Sequence, residues 1–254
     1  MQECLRRQAA GPPRSASDRF WGRSPLAADA RSWYAGAVGE IAVARVLDGL
    51  GPGWTVLHSV PVGSGDSDID HVVVGPPGVL TINTKHHDGQ RVWAGGSVVM
   101  VGGHKTWHVR NSRHEADRAS RLLSAAAGMP VPVQPLLVVV GAASIRFGKT
   151  PPAVPVLTPG QLARSLRSQR PVQSPAAVEF LSMVAEERGT WHTRAVVLDD
   201  TLRHEQRFHR LQRDIALARR RRRRWLLGAG LGLVVGIPAA CMAVVGAAVA
   251  SLVP

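Results

Sequence analysis

The sequence predicts an α/β domain with a single apolar helix at the C-terminal end. Three observations lead there. Helical and strand-like segments alternate from about residue 32 to 198, turn residues separate them, and residues 225–254 carry no charged side chain. With 45% apolar and 19% charged residues, the 254-residue chain is too apolar for disorder throughout and long enough for one medium domain with appendages. Its two cysteines, Cys4 and Cys241, exclude a disulfide scaffold and a cysteine zinc site. A formal charge of +13 permits an acidic partner without selecting one.

Residues 1–30 are rich in Pro, Ser, Ala and Arg without periodicity and read as a flexible leader. They lack the apolar core of a signal peptide. The α/β domain is expected over 31–200. It opens with a helix from Ser32 to Leu50, closed by Gly51-Pro52-Gly53. Strands follow at Trp54–Val62, Ile69–Gly75, Val79–Lys85 and Ser97–Val101, separated by turns at Gly63-Ser64-Gly65-Asp66, Gly75-Pro76-Pro77-Gly78 and Gly95-Gly96. A second helix is expected from Ser112 to Ala127, with Ser112 to Glu115 in the form of a capping box. Val133–Val140 reads as a buried strand, Gln161–Ser168 and Ala176–Glu187 as helices, and Ala195–Leu198 as a last strand. A basic juxtamembrane helix is expected over 201–224.

Residues 225–253 form the apolar tail. A helix of that length measures about 43 Å against a hydrocarbon core of about 30 Å, so one tilted transmembrane span fits. Arg219–Arg224 lie directly before it and put the preceding domain on the cytoplasmic side of the cell membrane, in a single-pass arrangement. Gly228, Gly232 and Gly236 recur every four residues and are expected to pair the span with a second copy, giving a homodimer.

Chemistry concentrates in Asp68-Ile-Asp70-His71-Val-Val-Val-Gly75 and Ile82-Asn83-Thr84-Lys85. Two strands joined by a tight turn form a hairpin, which brings Asp70 at the head of one beside Lys85 at the tail of the other. Asn83 and Lys85, two apart, share a sheet face. Phosphodiester hydrolysis uses such a set: carboxylates hold a divalent metal and a lysine stabilises charge. Glu40 falls inside the apolar stripe of the first helix, where a carboxylate is costly unless it pairs or binds a metal. His86-His87-Asp88 is a weaker metal candidate, because adjacent residues on an extended chain point apart. Gly148-Lys149-Thr150 mimics the end of a phosphate loop, but Pro151-Pro152 stand where its helix would start.

Gly39-Glu40, Trp54, Asp68-x-Asp70-His71-Val-Val-Val-Gly75, Pro77-Gly78-Val79 and Ile82-x-Thr84-Lys85 together resemble the NERD, or nuclease-related, family. The resemblance covers roughly Ser32 to Gly128, with Asn111 to Ala116 a weaker later block. It implies the PD-(D/E)XK restriction-endonuclease-like fold, a mixed sheet flanked by helices. It further implies Asp70 as metal-binding aspartate, Lys85 as the lysine of the E-x-K element, Glu40 as the helix carboxylate, and Mg²⁺ as cofactor held by Asp70 and Glu40. The chain departs from the pattern at residue 83, where Asn83 replaces the E-x-K carboxylate, a poorer metal ligand that cannot act as a base. The family's usual glutamine falls at Glu115, which the capping box explains without a catalytic role. Either Glu40 or Asp88 supplies the missing carboxylate, or the domain binds without cutting.

The expected function is thus a membrane-anchored nuclease-related protein with Mg²⁺-dependent hydrolysis of nucleic acid, DNA ahead of RNA. The alternatives are a catalytically weak or inactive nucleic-acid-binding or regulatory module at the membrane, and a membrane scaffold for protein partners. Asn83 separates the first two.

Overall fold

In the computed structural model, residues 1–62, 68–192, 204 and 206–228 are described. They fall in two compact units, one formed by Met1–Tyr34 with Asp199–Pro254, the other by Ala35–Leu198.

The larger unit is a mixed α/β structure. Its helices are α3 (Arg31–Asp48, shared with the first unit at its start), α4 (His108–Ala127), α5 (Pro159–Ser168), α6 (Pro175–Glu186) and the short α7 (Arg188–Trp191). A five-stranded sheet has the order β1 (Thr55–Pro61), β2 (Asp68–Gly75), β3 (Gly78–His86), β7 (Val133–Val140), β9 (Val156–Leu157). The β1–β2 and β2–β3 pairs are antiparallel, whereas β3–β7 and β7–β9 are parallel. Helices cover both faces, so β2 and β3 are buried on both sides and read as nearly unbroken apolar runs. Val43, Leu47, Val73, Leu80, Ile82, Leu162 and Leu166 fill one layer, under α3 and α5. Val72, Val74, Val79, Ala119, Leu123 and Leu181 fill the other, under α4 and α6.

The expected β2–β3 hairpin forms in full register from His71↔Ile82 to Gly75↔Gly78. Gly78 closes the turn with φ of +111°, a conformation open to glycine and strained for other residues. Four strands were not foreseen: β4 (Arg91–Gly96), β6 (His104–Thr106), β8 (Ser144–Pro152) and β9. Strands β6, β5 (Val98–Val101), β4 and β8 make a second, four-stranded sheet. Gly95 and Gly96, expected as a turn, instead end β4 at a register shift against β8. Gly148 to Thr150 lie in β8, which continues through Pro152 with no phosphate-loop helix.

The capping box expected at Ser112 is absent. Helix α4 starts a turn earlier, at His108, with Trp107 at its N-cap and no side-chain cap. Ser112 is buried inside the helix. The expected strand at 195–198 lies outside the described residues.

In the smaller unit, residues 1–30, expected as a flexible leader without periodicity, carry helical structure. They contain α1 (Gln2–Ala10) and α2 (Ala16–Trp21). Local chemistry explains both: Glu3 pairs with Arg6 and Arg7 one turn away, and Ser15 caps α2 by accepting from the Asp18 N–H. Residues 206–228 are helical through Arg219–Arg224 and on to Trp225. Phe20, Trp21 and Trp225 form an exposed aromatic cluster, with ring centroids about 5 Å apart, and the Trp225 indole N–H donates to the Phe20 carbonyl. Among the described residues no helix is long and apolar enough to cross a membrane. The expected span lies outside them from residue 229 on, as do Gly232 and Gly236 of the expected pairing face.

Trp54 lies so close over Gly75 that a Cβ there would sit 2.3 Å from the indole ring. Gly75→Ala is therefore expected to displace Trp54 and lower stability by about 1–3 kcal/mol, read as an earlier urea midpoint at unchanged m-value.

Candidate active site

The hairpin places the site at the open end of β2 and β3. The Thr84 backbone N–H donates to Asp70 Oδ2 at 2.6 Å, tying the head of β2 to the tail of β3. Opposite Asp70, between the pairs His58↔His71 and Val60↔Ile69, β1 carries Ser59 at φ of +48°. It is the single non-glycine residue with positive φ among the described residues, and such strain gathers where a side chain must be re-aimed. Along β3, Leu80 and Ile82 join the layer under α3, and so Asn83 and Lys85 alternate to the α4 side.

Glu40 reaches the same end from α3. Gly39 makes this possible, because a Cβ there would lie 3.2 Å from His86 Cβ and 3.4 Å from Thr84 Cγ2. Without that carbon the helix settles directly on the end of β3 and delivers the next residue beside it.

Glu115 reaches it from α4. The Asn83 amide donates to Glu115 Oε1 at 2.5 Å, so this carboxylate belongs to the site and caps no helix. It was missed because the local Ser-x-x-Glu pattern offered a simpler account. A better signal was available: Glu115 lies three residues after Ser112 and four before Ala119, both buried, so it sits within the buried stripe of α4 as Glu40 does in α3.

The carboxylates do not sit easily. Burial raises the pKa of Glu40, and repulsion from Asp70 and Asp68 adds to it while Lys85 opposes. Burial also raises that of Asp70, against Lys85 and the Thr84 N–H. Glu115 is pushed up to about 7, first by burial and then by Asp70 and Asp68, with the Asn83 bond and Lys85 pulling it down. Three acids thus share one ammonium group.

His86, His87 and Asp88 do not gather as a set of three, although His86 Nε2 and Asp88 Oδ1 both lie beside Gly141. His87 Nε2 lies 2.9 Å from His108 Nε2 on α4, whereas His86 faces Gly39 on α3. His71 is buried against His58, ring nitrogen to ring nitrogen at 2.8 Å, and burial pushes its pKa down to about 3. It is a neutral internal group rather than a ligand facing the carboxylates.

Residues 35–140, the stretch that carries this geometry, match the nuclease-related domain, NERD. The chain contains a NERD domain. No curated protein and no solved structure matches the chain. The NERD match runs from the start of α3 in the larger unit to the end of β7, and so includes Glu40, Asp70, Asn83, Lys85 and Glu115.

Nuclease-related domains are often metal-dependent, and the donor set here suits a hard divalent ion. It consists of carboxylate oxygens and the Asn83 amide oxygen, which is buried without a hydrogen-bond partner, as is Glu115 Oε2. Among the described residues no three His, Cys, Asp or Glu side chains are grouped so that together they could hold a metal ion. Mg²⁺ does not require such a trio, because it keeps several waters and binds through one or two carboxylates.

The raised pKa of Glu115 has a defined sign. Between its unfolded value near 4.5 and about 7 the folded protein binds more protons than the unfolded chain, so stability falls as pH rises through that window. In EDTA, Glu115→Gln is expected to be more stable than wild type at pH 8 by of order 2 kcal/mol, with the advantage shrinking towards pH 5. Urea unfolding at the two pH values measures it.

Proposed function

We propose that the NERD domain is a Mg²⁺-dependent phosphodiesterase of restriction-endonuclease-like fold acting on nucleic acid, with DNA the first substrate to test. The observation that carries this reading is the convergence of Asp70, Glu40 and Lys85 at one end of the β2–β3 hairpin. Asp70 and Glu40 would hold the ion, which supplies charge stabilisation at the phosphate and a more acidic bound water. Asp70 is already fixed by the Thr84 N–H, so binding needs little reorganisation of that side chain. Lys85 stabilises charge on the phosphate oxygens. Asn83 supports a second reading, a nucleic-acid-binding module with little or no cleavage, since a neutral amide occupies the E-x-K carboxylate position.

The full chain, in detergent, would be incubated with plasmid and single-stranded DNA with Mg²⁺, Mn²⁺ or EDTA. Metal-dependent cleavage reduced at least ~100-fold in Asp70→Ala is expected, about 2.7 kcal/mol of barrier. Retention of DNA without cleavage by wild type in either metal would leave the binding module.

The reading includes a membrane tether. It rests on the uncharged stretch 225–253 behind Arg219–Arg224 and on the exposed Trp225, Leu226 and Leu227 that lead into it. Single cysteines added in residues 1–30 or after Pro254, in a Cys4→Ser, Cys241→Ser background, test the orientation. In intact cells a membrane-impermeant thiol reagent should label the C-terminal cysteine alone. Labelling of the N-terminal one would reverse the topology.

A further inference from the structure

Resting on the phosphodiesterase reading, we infer that Glu115 is a metal-binding catalytic carboxylate of this site, supplied from α4 where β3 offers only the amide of Asn83. Asn83 is 2% exposed, and its side chain is spent on one contact, the hydrogen bond from Nδ2 to Glu115 Oε1. An amide in that position is a positioning group. It carries no charge and fixes the Glu115 carboxylate beside the tail of β3, on the sheet face from which Lys85 also projects.

Glu115 Oε2 and Asn83 Oδ1 are both buried and both lack a hydrogen-bond partner. The Asn–Glu pair alone leaves both oxygens unsatisfied. If Glu115 is protonated, its acid proton needs an acceptor, and Oε2 is hydrogen-bonded to none among the described residues. If it is ionised, its second oxygen needs a donor or a cation, and again none is bonded to it. Orphaned buried oxygens of this kind cost on the order of 1–3 kcal/mol each when dry. A hydrated divalent ion satisfies both oxygens at once.

Space for that ion exists. A cavity of about 150 Å³ opens beside Glu115, lined also by Asp68, Ile69, Asn111, His114 and Arg118, whose guanidinium donates to the Val62 carbonyl. At about 30 Å³ per water it holds several solvent molecules, enough for the partial hydration shell Mg²⁺ keeps. The acidic residue at the head of β2, Asp68, shares this cavity with Glu115.

The proposal predicts that the acid and the amide are exchangeable between residues 83 and 115, because their side chains touch. Mn²⁺ binding would be measured on the full chain by electron paramagnetic resonance of free Mn²⁺, for wild type, Glu115→Gln and Asn83→Glu/Glu115→Gln. Urea unfolding in EDTA would confirm that each variant is folded. Glu115→Gln is expected to bind Mn²⁺ at least ~10-fold more weakly, and the exchanged double variant to recover to within ~3-fold of wild type. Unchanged Mn²⁺ affinity in Glu115→Gln, or a wild type that binds no Mn²⁺, would overturn the assignment. Cleavage that survives Glu115→Gln would overturn the catalytic role and leave the phosphodiesterase reading standing. Mn²⁺ bound through Glu115 with no cleavage of any nucleic acid would instead end that reading and the catalytic role together.

Discussion

A single hydrogen bond, from the Thr84 N–H to the Asp70 carboxylate, sets the geometry on which the site depends. It joins the two ends of a hairpin whose other end is closed by the Pro76-Pro77-Gly78 turn, so the strands between have no freedom to slip. Slippage by one residue would turn Asn83 and Lys85 to the opposite face and bury Ile82 wrongly. The core on both sides of the sheet therefore enforces the position of the charged groups. Carboxylates held this way cannot relax apart, and burial and mutual repulsion accumulate on them. Stability is given up locally because packing elsewhere holds the arrangement, the usual relation between a functional site and its scaffold.

The hairpin, the flanking helices α3 to α6 and the strand at Val133–Val140 were legible in the sequence, because each is long, apolar and bounded by Gly, Pro or Ser. Of the second sheet, only β5 was legible. β4 ends in two glycines, β6 has three residues, and β8 includes Pro151 and Pro152, so none shows the apolar alternation that marks a strand. These strands exist because of partners distant in sequence. The parallel pairing of Arg91–Ala94 with Ser144–Phe147 is invisible to any local window.

The same distinction runs through the site. Asp70, Asn83 and Lys85 belong to one hairpin, and the period of a strand is enough to relate them. Glu40 could be placed because its helix stripe was otherwise apolar. Glu115 was misread because a local rule, Ser-x-x-Glu at a helix start, competed with a contact across 32 residues of chain. The helix begins a turn earlier than that rule requires, at a Trp107 that offers no capping oxygen.

The approach of α3 to the sheet has a consequence for how freely this chain can vary. Two glycines lie on that helix, three residues apart, and they are not equivalent. At Gly36 a methyl group would meet nothing closer than Glu40 Oε1 at 3.9 Å, so the position has room for alanine. At Gly39 the same methyl group would press on Thr84 and His86, the residues that flank Lys85. One glycine is an accident of composition, whereas the other works as a spacer of zero thickness. The reach of Glu40 is set by a carbon atom that is missing.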